Sequence, residues 1–515
     1  MENEIITINQ PQITVKNNLE TMDLTTKYFM ENLDKALIIF CNPISGNREG
    51  EIILDLADHY ITKEKYKLID FQYLVTAKKY EPIKSIYFDL LNKQDVAKGE
   101  LLIRHCIEQC KVNEQMGLEE KFKKVKILIA GGDGSILTTV EHFEKNGIDL
   151  KYCSFGHIPL GTGNDLANSL GFSDHITISC RDIDQLYSIL KKYYEAKFGN
   201  IDIWKMDLVL DSEEGEILFN SDKGKNKLKD ENGNIIRRYI RKFINYLSLG
   251  YDARVGYNFD VRRTESRNTN KCIYFIEGFK KTFCRKTVRI PKFIDSLTVY
   301  EGNNDSNPRD HFLFKKNNND YNNNENTTEA NINLNNKNDS NLISQSQNDG
   351  NNETQKEKIV VLEGNACSIV FQNIVNYMSG AKDIWGKSSG KISAQMENGT
   401  YLERENFNQK LELMGKAEQK MDDHKIEVFT FDNGLETGFE KIVGGFAKKI
   451  YHGKGPLDIK FCPTPKYNKE DRKNRIYLNI DGEYLHIIKP ISLRIELNTD
   501  FINGQLNFLL SNKSR

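Results

Sequence analysis

No two of the nine cysteines stand in a C-x-x-C pair, which excludes zinc ribbons and cysteine-rich lipid-binding fingers. Scattered, unpaired cysteines suit a reducing compartment. No apolar run approaches the roughly 18 residues of a bilayer span. The opening stretch, MENEIITINQ, lacks the charged-then-apolar layout of a secretory signal. A cytoplasmic chain without a transmembrane segment is therefore expected. A dominant charge is missing too: 72 Lys and Arg face 73 Asp and Glu, so no global field points to nucleic acid. Neither G-x-x-x-x-G-K-[ST] nor G-x-G-x-x-G occurs, which argues against the commonest nucleotide-binding folds.

What is present falls into two textures. From residue 36, ALIIFCNP, KVKILIAGGDG and FGHIPLGTGND read as buried strands running into turns, with helical spacing between them. FQYLVT (71–76) reads as a further strand and 82–118 as helix. Strands alternating with helices imply a parallel sheet with crossovers. From about 201 the pattern becomes short and β-rich, as in IDIWKMDLVLD and IYLNIDGEYLHIIKP, pointing to a mostly antiparallel β-sandwich. Nineteen of residues 303–352 are Asn; so polar a stretch buries too little surface to offset its chain entropy. The expected domains are an N-terminal extension (1–35), an α/β nucleotide-binding domain (36–200), a β-rich domain (201–498) holding a disordered insertion (303–357), and a C-terminal segment (499–515). A smaller polar insertion is expected at 211–235.

Three turns carry the chemistry. Gly131-Gly132-Asp133-Gly134-Ser135 ends one strand and opens a helix. Glycines there admit a phosphate close to the backbone, and free N–H groups at the helix start favour an anion. Pro159-Leu160-Gly161-Thr162-Gly163-Asn164-Asp165 repeats the arrangement after the next strand, and Asn42-Pro43-x-Ser45-Gly46 follows the first. Each turn alone is equally a capped strand-to-helix connection. Together they lie at the carboxyl ends of neighbouring parallel strands, where ligands bind.

CNPISG, GGDGS and PLGTGNDLANSLGF resemble, in order and spacing, the nucleotide motifs of the diacylglycerol kinase family. NYLSLGYDA (245–253), NKCIYFIEG (270–278), QNIVNYMSGAKDIWG (372–386) and NIDGEYLHIIKP (479–490) are similar to segments of its accessory domain. The resemblance covers about 36–497 minus the insertions. It implies a phosphofructokinase-like nucleotide domain, a lipid-binding β domain, and ATP-dependent phosphorylation of diacylglycerol to phosphatidic acid with Mg²⁺. It further implies that Asn42, Ser45, Gly46, Gly131, Gly132, Gly134, Ser135, Gly161, Thr162, Gly163, Asn164 and Asp165 contact nucleotide. Asp133 is implied to be catalytic, and Asp252 to belong to a metal network.

One departure stands out. The family carries a D-G-x-x-E motif whose aspartate is a proposed general base; here the nearest string is Phe431-Asp432-Asn433-Gly434-Leu435-Glu436. An Asn cannot accept a proton, so Asp432 is the candidate base, with Asp133 as the alternative. Segment 262–292 holds ten Lys and Arg against Glu265 and Glu277, interleaved with Tyr274, Phe275, Ile276, Phe279 and Phe283. It can meet an anionic membrane peripherally, or be a solvated face over core aromatics. Another lipid kinase (sphingoid base, ceramide or monoacylglycerol) and a catalytically weak nucleotide- or lipid-binding relative remain open. Oligomeric state is not legible.

Overall fold

The computed structural model describes residues 24–60, 67–70, 83–161, 163–172, 182–221, 224–262, 264, 269, 273, 276–278, 288–300, 308–314, 359–362, 365–378, 381–388, 394–397, 399–440, 443–463 and 476–512. Among them no helix is long and apolar enough to cross a membrane.

The first domain is built on β1 (Ala36–Cys41), β2 (Lys67–Asp70), β3 (Lys84–Asp89), β4 (Val125–Gly131), β5 (Cys153–Pro159) and β6 (Lys197–Asp202). A final strand, Gln505–Leu510, completes the sheet, in the order β2-β3-β1-β4-β5-(505–510)-β6. β1, β3, β4 and β5 run parallel. β1, β4 and β5 are buried along their whole length, as expected of strands covered on both faces. The helices are α1 (Leu24–Glu31), α2 (Ser45–Tyr60), α3 (Lys93–Gln115), α4 (Asp133–Lys145), α5 (Asp165–Ser169) and α6 (Ile183–Tyr194).

Several expectations need correction. The stretch 82–118 is not all helix: Lys84–Asp89 is a strand. Asn92 caps the helix that follows, accepting from the N–H groups of Gln94 and Asp95. The 1–35 extension contains α1, whose Phe29 is buried in the core. FQYLVT lies outside the described residues.

The chain leaves this domain after β6 and builds two eight-stranded sheets. One runs, in spatial order, Arg238–Phe243, Trp204–Leu210, Pro490–Leu497, Leu457–Phe461, Ile294–Tyr300, Pro308–Phe314, Ile359–Leu362, Ala394–Met396. The other runs Lys448–Gly453, Ile426–Phe431, Ser368–Gln372, Tyr246–Gly250, Ile476–Ile480, Glu483–Ile488, Glu216–Ser221, Gly224–Lys227. The pairing is antiparallel except between Pro308–Phe314 and Ile359–Leu362. Inward residues of both sheets, such as Trp204, Leu208, Leu249 and Phe371, share one core. The helices here are α7 (Tyr251–Asp260), α8 (Ile384–Lys387), α9 (Tyr401–Lys416) and α10 (Gly434–Glu440). The insertion expected at 303–357 contains a strand at Pro308–Phe314, whose Phe312 is buried in the core; residues 303–307 and 315–357 lie outside the described set. The polar insertion at 211–235 likewise holds two strands, Glu216–Ser221 and, at the sheet edge, Gly224–Lys227.

The two domains join where the chain crosses out and back. Ile203 N–H donates to Gly504 O and Asn498 N–H to Ile203 O, at 2.9 and 2.8 Å. Buried Asn373 ties the junction. Its Oδ1 accepts from Trp204 Nε1 at 3.1 Å, and its Nδ2 donates to Asp202 O and Ile244 O at 2.8 and 2.6 Å.

Candidate active site

The ends of β1, β4 and β5 bring the three turns together. Asn42 N–H donates to Ala130 O at 2.9 Å, and its Nδ2 to Ser135 Oγ at 3.4 Å. Leu160 N–H donates to Gly131 O at 2.9 Å. Two glycines are required by this convergence. Gly46 has φ +65°, and a Cβ on it would stand 2.5 Å from Leu160 O; a Cβ on Gly161 would stand 2.8 Å from Gly132 Cα. The backbones touch, so a side chain at either place forces the turns apart.

The first two of these turns open on a cavity of about 880 Å³ lined by Asn42, Ser45, Gly132, Gly134, Ser135, Thr138 and His142. Leu91, Val96, Ala97 and Glu100 of the β3–α3 connection and α3 form its other wall, and Glu483 reaches it from the second domain. The wall from α3 was missed in the sequence, because 82–118 carries no glycine-rich strand-to-helix turn like the other three.

Asp133, first residue of α4, faces inward. Its Oδ2 accepts Asp165 N–H at 3.0 Å and its Oδ1 accepts Leu166 N–H at 3.2 Å. The carboxylate thus stitches the second turn to the third. Desolvation raises its pKa to about 6, against the lowering effect of those N–H groups. His157 Nδ1 stands 3.6 Å from Asp133 Oδ1. Its Nε2 is 3.0 Å from Gly131 O, a geometry that needs the proton on Nε2. Burial lowers the His157 pKa to about 4, so the ring is neutral at physiological pH. Asn164 adopts a left-handed conformation (φ +56°), which Asn tolerates, and its Nδ2 bonds Gly161 O at 2.9 Å. Gly163 lies on the same turn, its carbonyl accepting from Asn168 Nδ2 at 3.5 Å. Thr162 lies outside the described residues.

A line of polar groups runs from this turn into the β domain. Tyr246 OH donates to buried Asp165 Oδ2 at 3.1 Å. The Tyr246 and Tyr377 rings meet edge to face at 4.6 Å, and Tyr377 OH donates to Asp252 Oδ2 at 2.6 Å. Ser248 Oγ bonds the same oxygen, while Asp252 Oδ1 is buried without a hydrogen-bond partner. Asp481 accepts the N–H groups of Ile244, Asn245 and Tyr246 at 2.7, 2.8 and 3.0 Å. Desolvation raises its pKa to about 7, with the nearby Asp133 charge adding to the shift. Tyr246, Tyr377 and Asp481 were not picked out as site residues. Their signal was present in the quoted accessory-domain strings, but only the fold shows what they touch.

Asp432 pairs with Lys448, and its backbone carbonyl accepts from Arg289. Its Oδ1 is buried without a hydrogen-bond partner. Burial pushes the Cys367 thiol up to about 12, with Asp252 and Asp432 both adding to the shift. Asn433 caps α10: its Oδ1 accepts Glu436 N–H and its Nδ2 donates to Glu436 Oε1, both at 2.9 Å. The Asn is a capping residue, which explains why an amide suffices there. Of the basic segment 262–292 few residues are described; Arg262 pairs with Glu277 at 2.6 Å and Ile276 is exposed. Among the described residues no three His, Cys, Asp or Glu side chains form a metal cluster.

The family model described as diacylglycerol kinase catalytic domain matches residues 36–189, and that described as diacylglycerol kinase accessory domain matches 242–484. Diacylglycerol kinase 7 of Arabidopsis thaliana is 27% identical over 263 residues, 46% of this chain and 47% of that protein. Diacylglycerol kinase 3 of the same plant is 25% identical over 284 residues, 50% of this chain and 51% of that one. A shorter match of 89 residues, 39% identical, joins 17% of this chain to 7% of diacylglycerol kinase eta from Mesocricetus auratus. The chain spans about half the length of the two plant relatives. With both domain models matched in order, and well over half of its residues inside them, the chain belongs to the diacylglycerol kinase family.

Proposed function

We propose that the protein is an ATP-dependent kinase that phosphorylates diacylglycerol to phosphatidic acid, working in the cytoplasm and peripherally at a membrane. The observation that carries this is the meeting of three glycine turns at neighbouring strand ends, two of them lining one cavity, with the Asp133 carboxylate bonded to the third and Glu483 of the β domain at the cavity wall. In this reading the first domain is of the phosphofructokinase-like type and the second, a β-sandwich, holds the lipid.

The turns at Asn42–Gly46, Gly131–Ser135 and Gly161–Asp165 would cradle the ATP phosphates with backbone N–H groups. Phosphoryl transfer asks the protein mainly for positioning and charge neutralisation. The lipid hydroxyl oxygen attacks the γ-phosphorus, the bond to ADP breaks, and the hydroxyl proton passes to a carboxylate. Asp432 is the better acceptor, because its Oδ1 has no hydrogen-bond donor whereas both oxygens of Asp133 hold backbone N–H groups. Asp133 keeps the two turns in register. Mg²⁺ brought in with ATP needs only one or two protein carboxylates beside phosphates and water; the orphaned Asp252 Oδ1 and the Asp133 carboxylate are oxygen donors of that kind. Bound there, it would neutralise charge on the β- and γ-phosphate oxygens.

Transfer of label from γ-labelled ATP to diacylglycerol in mixed micelles tests the proposal. Wild-type chain should label the lipid, and Asp432→Asn should lose about 10²–10⁴-fold in kcat. Full activity in Asp133→Ala, or no transfer by wild type to any lipid of a panel, would sink it.

A further inference from the structure

We propose that the apolar flank of α10 and the turn after it seats the protein on a bilayer containing anionic lipid. The choice of occupant rests on the lipid-kinase reading. Leu435, Phe439 and Val443 are spaced four apart, and Val443 N–H continues the helical pattern by donating to Phe439 O at 2.8 Å. They therefore share one face. All three are exposed (42, 47 and 67%), and Phe446, 36% exposed, brings its ring 6.5 Å from that of Phe439. Large apolar groups clustered in water mark an interaction surface.

The charges around the stripe select the partner. Glu436 is turned inward, accepting from Asp432 N–H at 3.1 Å and from Asn433 Nδ2 at 2.9 Å. Glu440 is buried and accepts the N–H groups of Gly445, Phe446 and Ala447. Both carboxylates of α10 are thus spent within the protein. Lys387, exposed, lies against Gly444 in the turn after α10; Lys448 and Arg289 flank the other end, at Asp432. The stripe thus carries no outward carboxylate from α10 and has exposed Lys387 beside one end and the partly exposed Lys448 and Arg289 near the other, a pattern suited to anionic headgroups over acyl chains. α10 starts two residues after Asp432. Seating the stripe would therefore hold that carboxylate at headgroup depth, where a membrane lipid presents its hydroxyl.

The test is co-sedimentation of the full chain with sucrose-loaded vesicles of phosphatidylcholine, with and without phosphatidylserine. Wild type should pellet with the anionic vesicles. Leu435→Glu/Phe439→Glu should bind them at least about tenfold more weakly, since two buried apolar side chains are lost, with nucleotide binding and thermal midpoint kept. Val443→Ser repeats the measurement without adding charge, and Leu402→Glu, exposed on α9, controls for the added charge. Undiminished pelleting of both stripe variants overturns the proposal, as does equal weakening by Leu402→Glu. So does a wild-type dimer that the stripe variants convert to monomer, which would make this face an interface between copies. Pelleting that depends on the stripe, without lipid phosphorylation, keeps the docking surface and sinks the kinase reading. Micelle activity without vesicle binding does the reverse.

Discussion

At the scale of single residues, the site depends on groups that join its parts. Tyr246 OH is the hydroxyl between the third turn and the β domain. Tyr246→Phe keeps the ring and its contact with Tyr377 but removes this donor to Asp165. A hydrogen bond to a charged group contributes about 1.5–3 kcal/mol, so kcat/KM for lipid should fall about tenfold or more while the thermal midpoint moves little; equal loss in both would mean a merely structural role. The acid limb of stability offers a second check. Asp133, with its pKa raised to about 6, adds stability that is present in acid and lost as pH rises from about 4 to about 6. His157, lowered to about 4, contributes oppositely: its share is present above its ordinary range and lost as pH falls toward 4. In the wild type the two oppose each other. In Asp133→Asn only the histidine effect remains of the pair, so thermal midpoints should drop more steeply between pH 6.5 and 4 than in wild type. Parallel curves would rule this out.

At the scale of elements, the first sheet is completed by the last strand of the chain. Gln505–Leu510 lies between β5 and β6, and Phe508 is wholly buried with its ring 6.0 Å from that of Phe155. Phe508→Ala should cost about 3–5 kcal/mol, read from denaturant midpoints of the intact chain. A cost below about 1 kcal/mol would show that the strand is dispensable. The sequence of this segment, FINGQLNFLL, says strand by its alternation but not which sheet the strand joins. Lys84–Asp89 was misread for a related reason. KSIYFD is short and bordered by helical sequence, so periodicity alone could not separate it from the helix; its central position beside β1 decides it. Asn92, three residues after its end, was the available signal.

For the whole molecule, bonds such as Lys242–Glu144 and Asn376–Ser169 tie the two domains, together with the junction where the chain crosses between them. Asn373 satisfies an indole N–H and two carbonyls there. Asn373→Ala orphans all three and should cost about 3 kcal/mol. It should also uncouple the domains, splitting a single thermal transition into two in calorimetry. One unbroken transition at an unchanged midpoint would show that the coupling lies elsewhere. The glycine turns, the parallel strands and the change of texture near residue 201 were determined by the sequence alone, because each depends on a few neighbouring residues: a strand's apolar run, a glycine's freedom, a helix's first N–H groups. The sequence could not say that Asp432 meets Lys448, that Asp165 meets Tyr246 or that Asp481 lies near Asp133. Those contacts join segments from tens to hundreds of residues apart. Only folding brings them together, and only burial then gives their carboxylates the shifted pKa values the site shows.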